Sequence, residues 1–172
     1  TTLSRAVDLG VDRVVEDSSG NAGAAIAQYA ARAGIEAEIF VPATAKPAKL
    51  RAIEATGATA TRIEGDRAAV TAACLDRVES GGGWYASHAW NPAFYAGTAT
   101  FALEVCAQRD WTPPDAVVCP VGHGTLLLGA YRGFSALREI GWIDRLPRLL
   151  AVQAAGCAPI VASLHGADAA EG

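Results

Sequence analysis

Short apolar runs of strand length alternate along the chain with longer stretches rich in alanine and leucine. The first run, Arg13-Val14-Val15-Glu16, precedes a helical pattern from about Ala22 to Ala33 that ends at Gly34. Such alternation is typical of βα units, in which helices connect parallel strands. The sequence therefore predicts an α/β fold with parallel sheets between layers of helices.

The same alternation continues to residue 154. We predict strands over residues 13–16, 37–42, 59–63, 84–87, 116–121 and 148–154, and helices over about 3–9, 22–33, 47–56, 67–79, 93–109 and 125–140. Trp84, Trp90 and Phe94 are predicted to be core residues.

Composition and charge exclude several classes of function. The 172 residues are 51% hydrophobic, enough for a sizeable core, and the net charge of −4 comes without a Lys/Arg cluster. Nucleic acid is therefore not an expected partner. No apolar run reaches the ~20 residues that span a bilayer, so no membrane partner is expected either. The first residues lack a signal-peptide pattern, and we expect a cytoplasmic protein.

The cysteines and lysines have no reactive spacing. Cys74, Cys106, Cys119 and Cys157 form neither a C-x-x-C motif nor a metal-ligand pattern, so we predict four small buried residues and no metal site. The two lysines, Lys46 and Lys49, lie near a predicted helix start. A solvent-exposed face is expected for them.

The stretch Ser18-Ser19-Gly20-Asn21-Ala22-Gly23 lies between the first strand and its helix. Ligands of parallel α/β sheets bind there, where free N–H groups at a helix N-terminus attract anions. We expect the glycines to allow positive φ and close backbone approach, and the Ser and Asn side chains to donate to a small carboxylate. The alternative is that Ser18 or Ser19 only caps the helix.

A second glycine-rich turn, Gly122-His123-Gly124-Thr125, follows the apolar strand ending at Val121. Its N–H groups suit a phosphate. The turn has neither the Gly-Lys-Ser/Thr of a Walker loop nor the last glycine of G-x-G-x-x-G. His123 could donate to a phosphate, face solvent or act as a general base. A carboxylate site and a phosphate site together suit an amino acid joined to a phosphorylated cofactor.

These motifs, with Ile39-Phe40-Val41-Pro42, Asn91-Pro92, Gly97-Thr98-Ala99-Thr100 and Glu104, carry a family resemblance. The chain resembles the fold type II pyridoxal-phosphate enzymes (the tryptophan synthase beta-like superfamily), most closely the threonine synthase-like group. The resemblance spans nearly the whole chain. It implies pyridoxal 5′-phosphate as cofactor.

The resemblance also implies roles for the two turns. The substrate carboxylate would be held by Ser18, Ser19, Gly20 and Ala22. The cofactor would be held by Asn21 at its ring hydroxyl and by Gly122, His123, Gly124 and Thr125 at its phosphate.

The reaction implied is that of threonine synthase, which eliminates phosphate from O-phosphohomoserine and adds water at the β-carbon. Serine/threonine dehydratases usually carry Gly-Asn-His, and cysteine synthases carry Gly-Asn-Thr-Gly. The Gly20-Asn21-Ala22-Gly23 of this chain matches neither, so a dehydratase or a cysteine synthase-like enzyme stays an alternative.

The resemblance further implies a lysine that forms a Schiff base with the cofactor, and no residue of this chain matches it. We expect that lysine upstream of Thr1 and interpret the chain as an inactive internal fragment of a homodimeric lyase. Residues 1–11 would be a leading helix of the large domain, 12–88 the small mobile domain, and 89–172 part of the large cofactor-binding domain.

An alternative of another class is a non-catalytic α/β ligand-binding domain without the lysine. A Rossmann dinucleotide domain is poorly supported, because its second strand would end in an acidic residue and here ends Phe40-Val41-Pro42.

Overall fold

The computed structural model describes residues 1–18 and 20–165. It confirms the α/β fold and divides the chain into two compact units, Thr1–Phe94 and Tyr95–Gly172. Within the described residues, no helix is both long enough and apolar enough to cross a bilayer.

The first unit is built on a four-stranded parallel sheet with the strand order β3-β2-β1-β4. Its strands are β1 (Arg13–Glu16), β2 (Glu36–Pro42), β3 (Thr59–Ile63) and β4 (Trp84–Tyr85), and its helices are α1 (Thr2–Asp8), α2 (Asn21–Ala33), α3 (Pro47–Glu54) and α4 (Arg67–Glu79). Because the strands are parallel, their carboxyl ends meet at one edge of the sheet.

Alternate residues of the strands enter two different cores. Val14 and Ile39 pack with residues of α1, α2 and α3, whereas Val15 and Phe40 pack with Val70 and other residues of α4. The side chains of a strand point alternately to the two faces of its sheet. The unit therefore has three layers, with α1–α3 on one face and α4 on the other.

Most predicted boundaries lie within two residues of the observed ones, because local signals set them. Gly34 ends α2 in the left-handed conformation, with φ 69°. Pro47 begins α3, where its missing N–H costs nothing. The Asp66 carboxylate accepts from the Ala69 N–H and caps α4.

The second unit contains the parallel strands β5 (Ala116–Pro120) and β6 (Arg148–Val152), the helices α6 (Thr100–Ala107), α7 (Thr125–Glu139) and α8 (Pro159–His165), and a 3₁₀ turn at Ala155–Cys157. Another helix, α5 (Pro92–Thr98), crosses the division between the units. Gly129 and Gly133 let α7 approach Thr98 and Ala99, since a Cβ at either glycine would lie within 2.3 Å of them. This close packing fixes the start of α7.

Three predictions about local structure are wrong. The helix over 93–109 is interrupted at Ala99, where threonine hydroxyls bond to carbonyls three residues earlier and compete with the helical ladder. Cys157 is exposed because it lies in the 3₁₀ turn; the other three cysteines are buried, as predicted. Trp90 is 77% exposed, in a turn where its N–H bonds to the Ser87 hydroxyl.

The domain boundaries at 11/12 and 88/89 stay predictions. In the structure α1 contributes Leu3 and Ala6 to the core of the first unit, and that unit extends to Phe94.

Candidate ligand-binding turns

The first turn begins where β1 ends at Glu16 and finishes at the start of α2. Gly23, in the first turn of α2, packs against the Ser18 carbonyl so closely that a Cβ would lie 1.8 Å from its oxygen. Only glycine fits this approach. The helix start is therefore pulled in beneath the turn.

The expected positive φ is not used here. Gly20, the N-cap residue of α2, has φ −94° and an extended backbone, and Gly23 is helical. The second glycine is required by packing against Ser18 rather than by a left-handed conformation.

Polar donors remain at this turn for an anion. The Ser18 hydroxyl oxygen accepts from the Gly20 N–H at 3.2 Å, which leaves its own hydrogen to donate. No side chain of the described residues caps α2, so the capping alternative is not supported for Ser18. Asn21 is exposed and Ala22 is half-buried at the helix start. Ser19, the other predicted carboxylate ligand, lies outside the described residues.

A buried carboxylate holds the residue in front of this turn. Asp17 is 2% exposed. Its Oδ2 accepts from Arg67 Nη2 and from the Thr71 hydroxyl, both at 2.7 Å, and its Oδ1 accepts from the Tyr85 hydroxyl at 2.8 Å. Arg67 also donates to the Asp17 main-chain carbonyl. These bonds tie the start of α4 and the end of β4 to the turn.

The neighbouring residue, Glu16, is a second buried acid. Its Oε1 lies 2.6 Å from Nδ1 of His88, while no partner within the described residues reaches its Oε2. Burial raises the pKa of Glu16 above its ordinary value, against the opposing effect of His88. The hydrogen bond to Glu16 raises the pKa of His88, against its own desolvation. The pair therefore retains protons in the folded state.

This pair predicts that stability falls as pH rises. The folded state binds more protons than the unfolded state, so the free energy of unfolding decreases with pH. The contribution of His88 is complete below its unfolded pKa of about 6.5 and is lost as pH rises through the higher folded value. Asp17 strengthens this shift and Arg67 weakens it. We expect thermal melts to show a falling melting temperature from pH 6 to pH 9.

The control is the double variant Glu16→Gln with His88→Gln, which keeps similar shapes but removes both titrating groups. Its melting temperature should change less over the same pH range, and the other histidines are identical in both proteins. Parallel pH profiles for the two proteins would contradict the assignment of this dependence to the Glu16–His88 pair.

The second turn follows β5 in the other unit. Gly124 is the N-cap of α7 and has φ 91°, a left-handed conformation that favours glycine. No side chain caps α7. Gly122 is exposed, and a Cβ built there would meet nothing within 4 Å. Neither packing nor backbone conformation requires glycine at 122, which indicates open space kept beside the turn.

The remaining predicted residues of this turn differ in burial. Thr125 is 9% exposed, and its carbonyl accepts from the Thr98 hydroxyl at 3.1 Å. That bond anchors the first residue of α7. His123 is exposed, and its role as phosphate donor or general base stays a prediction.

Sequence reasoning missed the supporting residues of the first turn. Glu16, Asp17, Arg67, Tyr85 and His88 come from strands and loops up to 72 residues apart. One signal was present, because two adjacent acids directly after a buried Val-Val pair require partners. The partners themselves follow only from the strand order.

The lysines and a polar groove lie away from both turns. Lys46 and Lys49 are exposed, as predicted. A groove of about 430 Å³ is lined by residues at the amino ends of β1–β3, opposite the first turn. Its arginines, Arg13 and Arg77, are paired with Glu36 and Glu38. We assign no ligand to it.

Comparison with known proteins gives consistent matches. The profile of one family, pyridoxal-phosphate dependent enzyme, matches residues 1–171. Threonine synthase from Methanosarcina acetivorans is 33% identical over 166 residues, which cover 94% of this chain and 40% of that protein. Threonine synthase 2, chloroplastic, from Arabidopsis thaliana is 33% identical over 83% of this chain and 28% of the relative.

Solved structures agree. A threonine deaminase from the organism abbreviated T.th. superposes with a TM-score of 0.80 at 27% identity, covering 96% of this chain and 52% of its own. Serine racemase from Dictyostelium discoideum gives 0.73 at 28% identity, covering 89% and 47%. The chain thus spans about 40% of the length of the first curated relatives and about half of these solved chains.

Proposed function

The chain belongs to the pyridoxal-phosphate dependent enzymes, and on that basis we propose that it supplies the substrate-carboxylate turn and the cofactor-phosphate turn of a lyase of the threonine synthase type. The observation that carries the proposal is the pair of uncapped helix starts, each following the carboxyl end of a parallel strand. Such positions bind anions in α/β proteins.

The second turn fits a cofactor phosphate. Gly122 leaves open space where its side chain would lie, and Gly124 adopts a conformation that aims the start of α7 at that space. Backbone N–H groups at Gly122, His123, Gly124 and Thr125 would donate to the phosphate oxygens. The positive end of the α7 dipole favours the phosphate charge.

The first turn fits the substrate carboxylate. Ser18 donates its free hydroxyl hydrogen, and the N–H groups at the start of α2 donate beside it. Asn21, exposed at the first position of α2, would contact the cofactor ring hydroxyl. Asp17 and its three side-chain partners keep this turn in place, so the donors do not reorganise when the ligand arrives.

Pyridoxal phosphate, when bound, supplies an electron sink that stabilises negative charge at the substrate α-carbon. The contribution of this chain is orientation, because the two turns hold anions at defined backbone positions. Threonine synthases at 32–33% identity favour O-phosphohomoserine as substrate.

A second candidate is a dehydratase of the threonine deaminase type. It is supported by the structural likeness to threonine deaminase over 96% of this chain. Ala22, at the position where dehydratases usually carry histidine, argues against it. We also propose that the whole protein is a cytoplasmic homodimer, which sedimentation of the whole protein and its location in cells would test.

The test is product analysis with the whole protein that contains this chain. We expect O-phosphohomoserine with pyridoxal phosphate to yield threonine and inorganic phosphate in equal amounts. Formation of an oxo acid and ammonia from threonine, without phosphate release, would establish the dehydratase instead. Cofactor binding without turnover of either substrate would indicate the non-catalytic ligand-binding domain.

A further inference from the structure

Gln153, directly after β6, joins the phosphate turn to the start of α8. Its Nε2 donates to the Val121 carbonyl at 3.2 Å. Its Oε1 accepts from the N–H groups of Ile160 and Val161, at 3.0 and 3.2 Å. One side chain thus bonds to three backbone groups from two separate segments.

An amide is the side chain that suits this position. The Val121 carbonyl needs a donor, and the first N–H groups of a helix need an acceptor because they have no partner inside the helix. Glutamine has one of each at the end of a single stem, whereas glutamate only accepts. The partners also fix which way round the amide lies.

The bond to Val121 controls the direction of the next N–H group. The Val121 carbonyl and the Gly122 N–H belong to one planar trans peptide, in which they point in opposite directions. The Val121 N–H is held in turn by the Val152 carbonyl at 2.9 Å. Fixing the carbonyl therefore aims the Gly122 N–H away from β6, at a residue whose glycine backbone would otherwise rotate freely.

We propose that Gln153 is a positioning residue of the phosphate turn, orienting the Gly122 N–H toward a bound phosphate group with α8 as its anchor. This inference rests on the proposed function of the turn at 122–125. It adds a residue that touches neither cofactor nor substrate and acts through one peptide plane.

The experiment measures binding of pyridoxamine 5′-phosphate and of pyridoxamine to the chain by ligand fluorescence. Neither ligand has an aldehyde that could react with Lys46 or Lys49. The ratio of the two affinities reports the contribution of the phosphate alone. The central variant is Gln153→Glu, which keeps the acceptor for α8 but loses the donor to Val121.

We expect Gln153→Glu to weaken pyridoxamine 5′-phosphate binding by about tenfold, the effect of one hydrogen bond to a charged group, with pyridoxamine binding unchanged. Ala154→Glu is the matched control, since it adds the same charge at the next, exposed position; less than about twofold change is expected there. Gln153→Met, which is uncharged, should also reduce the affinity ratio and decides the question if Gln153→Glu does not fold.

The spectroscopic readout is the amide proton of Gly122. It should shift on addition of inorganic phosphate to the wild-type chain and shift less in Gln153→Glu. Preference of the wild type for the phosphorylated ligand, unchanged in both Gln153 variants, would overturn the role of Gln153 alone. No such preference in the wild type would overturn the phosphate turn, and the inference with it.

Discussion

Replacing Gly122 by glutamate abolishes binding of pyridoxamine 5′-phosphate while leaving the melting temperature of the chain unchanged. A side chain at 122 enters open space, since its Cβ would meet nothing within 4 Å. The fold therefore tolerates it. The same space is where the phosphate turn would receive its ligand, so the new carboxylate meets a phosphate of the same charge.

The expected loss of affinity is at least about 100-fold, because two like charges about 4 Å apart repel by about 4 kcal/mol at an effective dielectric constant of about 20. Gly156→Glu is the matched control, since a Cβ at Gly156 also meets nothing within 4 Å. It should bind as the wild type does. Equal binding by Gly122→Glu and wild type, in a chain that prefers the phosphorylated ligand, would place the phosphate elsewhere.

Replacing Asp17 by alanine is expected to cause the largest loss of stability, about 3 kcal/mol in the free energy of unfolding. The change leaves the donors of Arg67, Thr71 and Tyr85 without their shared acceptor. Burial, with the bond to Asp17, raises the pKa of Tyr85, so its hydroxyl stays protonated and needs an acceptor. The Arg67 side chain is 55% exposed and rehydrates, which limits the cost.

Thermal and urea denaturation measure this effect, which corresponds to a melting temperature lower by roughly 10 °C. Asp12→Ala, at an exposed position before the same strand, is the control and should change stability by less than about 0.5 kcal/mol. Tyr85→Phe removes a single donor and should cost about 1 kcal/mol. If Asp17→Ala and Asp12→Ala unfold alike, the buried network does not stabilise the turn.

The sequence by itself determined the order of strands and helices and the position of both turns. Period-two apolar runs such as Val14-Val15, helix ends at Gly34, and the glycine-rich segments at 20–23 and 122–125 are local signals, read within a few residues. They were sufficient for the α/β class, and the motifs were sufficient for the family. The same local rules failed at Ala99, where threonine hydroxyls interrupt a pattern that looks continuous.

The tertiary structure alone decided what supports the turns. Asp17 meets Arg67, Thr71 and Tyr85 because β1 pairs with β4 on one side and α4 packs across it. Gln153 meets Val121 because β5 and β6 are neighbours. These contacts join residues 32 to 68 positions apart, and no local pattern encodes such distances, since the pairing of strands is fixed by burial of the whole sheet.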